Sequence, residues 1–155
     1  MNTVILGLGS NIAPEKNMPE ALRRLSKQVK IEAVSSLWKT AAVGSEGPIF
    51  LNAAAKISTE YGFNYLKEEI LCAVEATLGR VRVEDKNAPR TIDLDILVFN
   101  QQIVELSIFR FDHLILPVAE LIPDLCEPGT GKSLGELAVE HCCKLAAVRV
   151  GKLVY

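Results

Sequence analysis

Thr91-Ile92-Asp93-Leu94-Asp95-Ile96-Leu97-Val98 alternates in polarity, with Ile92, Leu94, Ile96 and Val98 on one face of an extended chain and Thr91, Asp93, Asp95 and Leu97 on the other. A strand of this kind buries one face and turns a partly acidic one outward. Upstream, Phe63, Leu66, Ile70, Val74 and Leu78 recur at helical intervals, and Gly79 follows where a glycine would end the helix. Ile31 to Thr40 sets Val34, Ser36, Trp38 and Thr40 on one face of an extended reading, and Phe50 to Ile57 is a second, alanine-rich strand-like run. Between them, Ala41 to Pro48 holds two glycines and a proline and reads as a loop. Nearer the start, Asn17 stands three residues before Glu20 in capping-box spacing and Pro19 fits a first helical turn. Met18, Leu22, Leu25 and Val29 continue that helix. Thr3 to Leu8 is an apolar β-prone run ending in Gly7-Leu8-Gly9-Ser10-Asn11. Strand, helix, strand, strand, helix, strand is the split βαβ order, and predicts an α+β fold in which an antiparallel sheet is backed by two helices. Beyond Pro117 the chain reads as an appendage with a helix near Leu134 to Leu145.

The 155 residues suit one domain, 1–155, with a core of its own. Nearly half of them are apolar and the net charge is −2, which offers polyanions no global attraction, so neither nucleic acid nor an acidic membrane is an expected partner. No obligate protein partner is implied. Met1-Asn2-Thr3-Val4-Ile5 lacks the layout of a signal peptide and no apolar run reaches membrane-spanning length, so a cytoplasmic protein is expected. Cys72, Cys126, Cys142 and Cys143 form no Cys-x-x-Cys pair and sit among apolar neighbours, which predicts reduced, mostly buried thiols. His113 and His141 are isolated in sequence.

Alternation along the strand points Asp93 and Asp95 to one face, their Cα atoms roughly 6–7 Å apart. Magnesium takes a few carboxylates, several waters and substrate phosphates, so the pair suits a metal that accompanies a nucleotide. Gly79-Arg80-Val81-Arg82 before the strand and Pro89-Arg90-Thr91 at its start bring three guanidinium groups close by. Guanidinium forks match phosphate oxygens, and phosphoryl transfer chiefly asks a protein to position groups and neutralise spreading charge. The same arginines could instead pair with Glu84, Asp85 and the aspartates. Glu75, four residues before Gly79, is open to a salt bridge with Arg80 or Arg82 or to a substrate hydrogen bond. Asn52 lies among Leu51, Ala53 and Ala54, where a buried amide needs a partner such as the edge of a flat heterocycle. Gly129-Thr130-Gly131-Lys132-Ser133 resembles the end of a P-loop, but Cys126 occupies the place of its first glycine. Ser133 with Glu136 reads as a capping box.

Taken together, Gly9-Ser10-Asn11, Leu51-Asn52-Ala53-Ala54, Gly79-Arg80-Val81-Arg82 and Pro89-Arg90-Thr91-Ile92-Asp93-Leu94-Asp95 resemble the hydroxymethyldihydropterin pyrophosphokinases of folate biosynthesis, from about residue 3 to 100. The resemblance implies a ferredoxin-like fold and transfer of the terminal two phosphates of ATP to the pterin hydroxymethyl oxygen, with release of AMP. It implies that Asp93 and Asp95 bind two magnesium ions, that Arg80 and Arg90 act on the phosphates, and that Arg82 and Glu75 serve the nucleotide. Asn52 would read the pterin edge, Thr40, Val43 and Phe50 would line its pocket, and 83–88 would be a catalytic loop.

Two departures from the family pattern stand out. Asn87 occupies a loop position where relatives often carry tryptophan. Leu106 to His113 is shorter than the family segment that supplies a Pro-His pair, an arginine and a phenylalanine. Arg110 and His113 are the residues available there for the nucleotide, and counting back from Pro117 puts His113 in the place of the pterin-stacking phenylalanine. These departures leave open a second reading, a pterin- or nucleotide-binding protein with weakened turnover. The same chemistry on a related heterocyclic alcohol is a third.

Overall fold

The structure, a computed structural model, describes residues 1–40, 49–81, 84, 90–142 and 147–155. Its central strand is β1 (Asn2–Ser10), which pairs antiparallel with β4 (Phe50–Thr59) on one side and β5 (Asp93–Phe99) on the other. Outside β4 lie β2 (Lys30–Val34) and β3 (Ser36–Thr40), with β7 (Ala147–Lys152) on β3 and the short β6 (Gln102–Ile103) on β5. Every pairing is antiparallel. The α+β split βαβ expectation therefore holds.

Two helical runs cover one face of the sheet. The first is α1 (Pro14–Leu25). The second is α2 (Phe63–Tyr65), continued through a π-helical turn over Leu66–Leu71 into α3 (Cys72–Thr77). Met18, Leu22, Leu25, Leu66, Ile70 and Val74 pack there on Val4, Leu6, Leu8, Leu94 and Ile96. The opposite face carries α4 (Asp112–Leu121), α5 (Leu134–Cys142) and a 3₁₀ turn over Leu106–Phe109, whose Ile108, Ile115, Val118 and Leu137 pack on Ile5, Ala54 and Leu97. Apolar residues on both sides of β1 are thus required by helices on both sides.

Several sequence expectations need correction. The residues beyond Pro117 are no appendage, because α5 covers the second face and β7 extends the sheet. Pro117 lies inside α4, where it has no N–H to offer the carbonyl of His113. Helix α1 begins at Pro14 rather than Asn17: Ala13 is its N-cap in the left-handed region, Asn17 Nδ2 donates to the Ile12 carbonyl (2.6 Å), and Pro19 is internal. Ile31 to Thr40 is not one strand. Val34 faces Ala55 and Trp38 faces Asn52, four steps on one strand against three on the other, so an extra residue bulges at Ser35. Cys126 and Cys142 are exposed, on a surface turn and at the last turn of α5, and Cys72 is half-buried. Cys143 lies outside the described residues. The Ser133–Glu136 capping box forms reciprocally, with Glu136 N–H on Ser133 Oγ (3.2 Å) and Ser133 N–H on Glu136 Oε2 (3.1 Å). The neighbouring Lys132 pairs with Glu140.

Candidate active site

Helix α3 ends in a Schellman turn: Gly79 adopts φ +80°, its N–H reaches the Ala76 carbonyl (3.0 Å), and the Arg80 N–H reaches that of Glu75 (3.1 Å). This reversal folds Arg80 back beside Glu75, whose side chain is buried. Glu75 Oε1 accepts from Arg80 Nη1 at 2.6 Å and from the Leu94 N–H at 2.9 Å. Helix end and strand β5 are therefore pinned to one carboxylate.

Asp93, at the start of β5, is gripped from both sides. Arg80 Nη1 donates to its Oδ1 at 2.8 Å and Arg90 Nη1 to its Oδ2 at 2.7 Å. Arg90 is itself held by Asn11, whose Oδ1 accepts from the Arg90 N–H (2.7 Å) and whose N–H donates to the Arg90 carbonyl (3.2 Å). Ser10 Oγ donates to the Thr91 carbonyl at 2.6 Å. The Gly9-Ser10-Asn11 exit of β1 thus serves as the clamp that aligns the start of β5.

Asp95 is exposed to water, yet enough protein crowds it to weaken its hydration. That loss, the neighbouring Asp93 and then Glu75 push its carboxyl up from 3.8 to about 6, against the opposing pull of Arg80 and Arg90. Among the described residues, the carboxylates of Glu75, Asp93 and Asp95 gather around the guanidinium groups of Arg80 and Arg90, so anionic groups outnumber cationic ones there. Hard carboxylate oxygens gathered in this way are the donor set that magnesium uses together with water and phosphate.

The other half of the site is reached across β1. In register, Asp93 pairs with Gly9, Gly9 with Asn52 and Asn52 with Trp38, while Asp95 pairs with Gly7 and Gly7 with Ala54. All lie on the face that carries α4. A Cβ at Gly9 would stand 3.1 Å from Asn52 Oδ1, and one at Gly7 would stand 3.1 Å from Leu97 Cδ1. Gly9 therefore leaves the central strand without a side chain between Asp93 and Asn52, two strand spacings or about 10 Å apart, whereas the space over Gly7 is filled by the buried Leu97. Buried Asn52 donates from Nδ2 to Thr40 Oγ1 (2.6 Å), and half-buried Phe50 pairs with Thr40 in the next row.

The remaining sequence candidates divide. His113, at the start of α4, is buried enough to pull its imidazole below its usual pKa, against the opposing fields of Asp112 and then Asp93. Its ring stacks on Phe111 with centroids 5.6 Å apart. Arg110 follows the 3₁₀ turn and is exposed. Val43, Arg82, Asn87 and the expected loop 83–88, apart from Glu84, lie outside the described residues. Sequence reasoning missed Asn11 as the backbone clamp on Arg90, although Gly9-Ser10-Asn11 marked the place. It also missed Gly9 as the floor between Asp93 and Asn52, a role that appears only once the strand register is known.

A family model described as 7,8-dihydro-6-hydroxymethylpterin-pyrophosphokinase matches residues 5–123. The 2-amino-4-hydroxy-6-hydroxymethyldihydropteridine pyrophosphokinase of Pseudomonas aeruginosa is 34% identical over 146 residues, covering 86% of this chain and 88% of that protein. The enzyme of that name from Aquifex aeolicus is 30% identical over 157 residues, covering 93% and 95%. Among solved structures, wild-type Plasmodium falciparum HPPK-DHPS superposes with a TM-score of 0.77 at 11% identity, covering 99% of this chain and 50% of that one. The chain spans about half the length of that structure, and at this identity the likeness speaks for the fold.

Proposed function

The chain belongs to the 7,8-dihydro-6-hydroxymethylpterin-pyrophosphokinase family, and we propose that Asp93, Asp95, Arg80, Arg90 and Asn52 carry out its reaction. That reaction moves a pyrophosphoryl group from ATP to the hydroxymethyl group of 6-hydroxymethyl-7,8-dihydropterin in folate biosynthesis. The hydroxymethyl oxygen attacks the β-phosphorus, the bond from that phosphorus to the oxygen on the α-phosphate breaks, and AMP leaves. One observation carries the assignment of residues: a glycine floor joins a carboxylate–arginine corner to a buried amide, which suits a triphosphate at one end and a flat heterocycle at the other.

Asp93 and Asp95 would hold magnesium, which when bound neutralises phosphate oxygens. Arg80 and Arg90 lie on either side of Asp93 and are placed to transfer their forks to phosphate, where charge spreads as the bond breaks. Glu75 orients Arg80 and fixes the backbone of β5. Asn52 presents an amide to the amide-like edge of the pterin, with Thr40 fixing its rotation and Phe50 beside it. Burial disfavours the charged form of His113, which offers a flat ring from the α4 side, and Arg82 and Arg110 serve the nucleotide.

Purified protein supplied with ATP, magnesium and hydroxymethyldihydropterin should release AMP in step with pterin pyrophosphate. No AMP at any magnesium concentration would overturn the reading.

A further inference from the structure

Helix α4 lies across β1, β4 and β3 on the site-bearing face: Ile115, Val118 and Ala119 pack with Ile5, Ala54 and Leu97, and at its C-terminal end Glu120 reaches β3. There a single carboxylate takes two donors, Trp38 Nε1–H on Oε1 at 2.7 Å and the Ser36 N–H on Oε2 at 2.9 Å. Both donors belong to buried residues, Trp38 at 8% and Ser36 at 4% exposure.

The Ser36 N–H needs this partner because of the bulge. Ser35 uses its own N–H on the Ala54 carbonyl (2.8 Å) and its hydroxyl to accept from the Ala54 N–H (2.8 Å). Ser36 is displaced from the β4 ladder as a result, while staying in register with Lys152 of β7, and Glu120 supplies the acceptor for its N–H. The donors it holds sit beside the heterocycle end of the site: Trp38 is the cross-strand neighbour of Asn52, and two residues on, Thr40 accepts the Asn52 amide.

We infer that Glu120 is a positioning residue for the pterin. By clamping Trp38 and the bulge of β3 to α4, it sets where Thr40 stands and so which way the Asn52 amide faces. It acts through Trp38 and Asn52 and touches neither phosphate nor the acidic corner. The inference rests on the reading of Asn52 as the pterin contact.

The test is calorimetric binding of hydroxymethylpterin and, separately, of a nonhydrolysable ATP analogue to the full chain and to two variants, with Tm recorded for each. Glu120→Gln keeps the shape but turns an amide N–H₂ toward one of the two donors, and should weaken pterin binding about tenfold while nucleotide binding stays within about twofold. Trp38→Phe removes the Nε1 donor together with the five-membered part of the ring, and should weaken pterin binding by about threefold, with the same selectivity. Combined, the two changes should cost less than the product of their separate effects, because they break one contact in common. Pterin binding within twofold of the unsubstituted chain in Trp38→Phe overturns the inference, even if Glu120→Gln does not fold. Parallel losses of pterin and nucleotide affinity that track Tm overturn it too, in favour of a purely structural role. A chain that binds pterin but releases no AMP fails the proposed reaction and leaves this test intact.

Discussion

The two ends of the glycine floor are held by different physics. At the acidic end Glu75, Arg80, Asp93 and Arg90 form a chain of charge-assisted contacts between 2.6 and 2.8 Å, fixed by interactions that phosphate and metal would compete for. At the heterocycle end Asn52 and Thr40 form a neutral hydrogen bond within a buried sheet, and the carboxylate that reaches this row, Glu120, is bound to backbone and indole donors. One end is thus a reservoir of charge that substrates rearrange. The other is a preset shape, and in such a shape small displacements cost affinity rather than turnover.

The largest expected effect belongs to the acidic end. Asp95→Ala should lower kcat by about 10³-fold or more, because an anionic metal ligand at the reacting phosphates is lost. AMP release at saturating substrates, with an unchanged circular dichroism spectrum, measures it; retained turnover would remove Asp95 from the chemistry.

Next comes the buried anchor. Glu75→Ala strips the partner from Arg80 and from the Leu94 N–H, and removing one member of a buried pair costs about 3–5 kcal/mol. Urea unfolding reads this directly, and a loss under about 1 kcal/mol would mean that Arg80 finds compensation in Asp93.

A smaller effect tests the preset shape. Gly9→Ala places a methyl group 3.1 Å from Asn52 Oδ1, so the amide must turn or the strands must part by a few tenths of an ångström. Pterin KM should rise severalfold while that for ATP holds; equal changes in both would blur the contrast between the two ends.

The smallest effect is a pH dependence. In the metal-free protein Asp95 titrates near about 6 when folded, against 3.8 as an unperturbed carboxyl. Between those values the folded state binds more protons than the unfolded one, so stability falls as pH rises through the window. Asp95→Asn should flatten that slope in denaturant midpoints measured without magnesium. An unchanged slope would assign the shift elsewhere.

Much of this was legible in sequence where one local pattern controlled the outcome. Strand β5, with its alternating polarity, the glycine stop at Gly79 and the Ser133–Glu136 cap are set by neighbours a few residues apart, and each appears as written. The acidic corner was legible for the same reason, since Arg80, Arg90 and Asp93 lie within one short stretch of chain. The start of α1 was obscured because its N-cap is Ala13, a residue with no capping side chain. Helix α4 was hidden by Pro117, whose usual reading is a helix boundary. The bulge at Ser35 leaves no trace in periodicity, because its partners are Ala54 and a carboxylate 84 residues from Ser36. The clamp of Asn11 on Arg90 spans 79 residues and was equally out of reach of local spacing.

Trp38 is the one tryptophan in the chain. Its indole is fixed by Glu120 in the row that contains Asn52, so the red edge of the protein's ultraviolet emission arises from a single ring at the heterocycle end. Reduced pterins absorb light where indoles emit. With the pterin seated beside Asn52 as proposed, the molecule would carry its own optical gauge of pocket occupancy, by which pterin arrival is followed in a stopped-flow cell with no label attached.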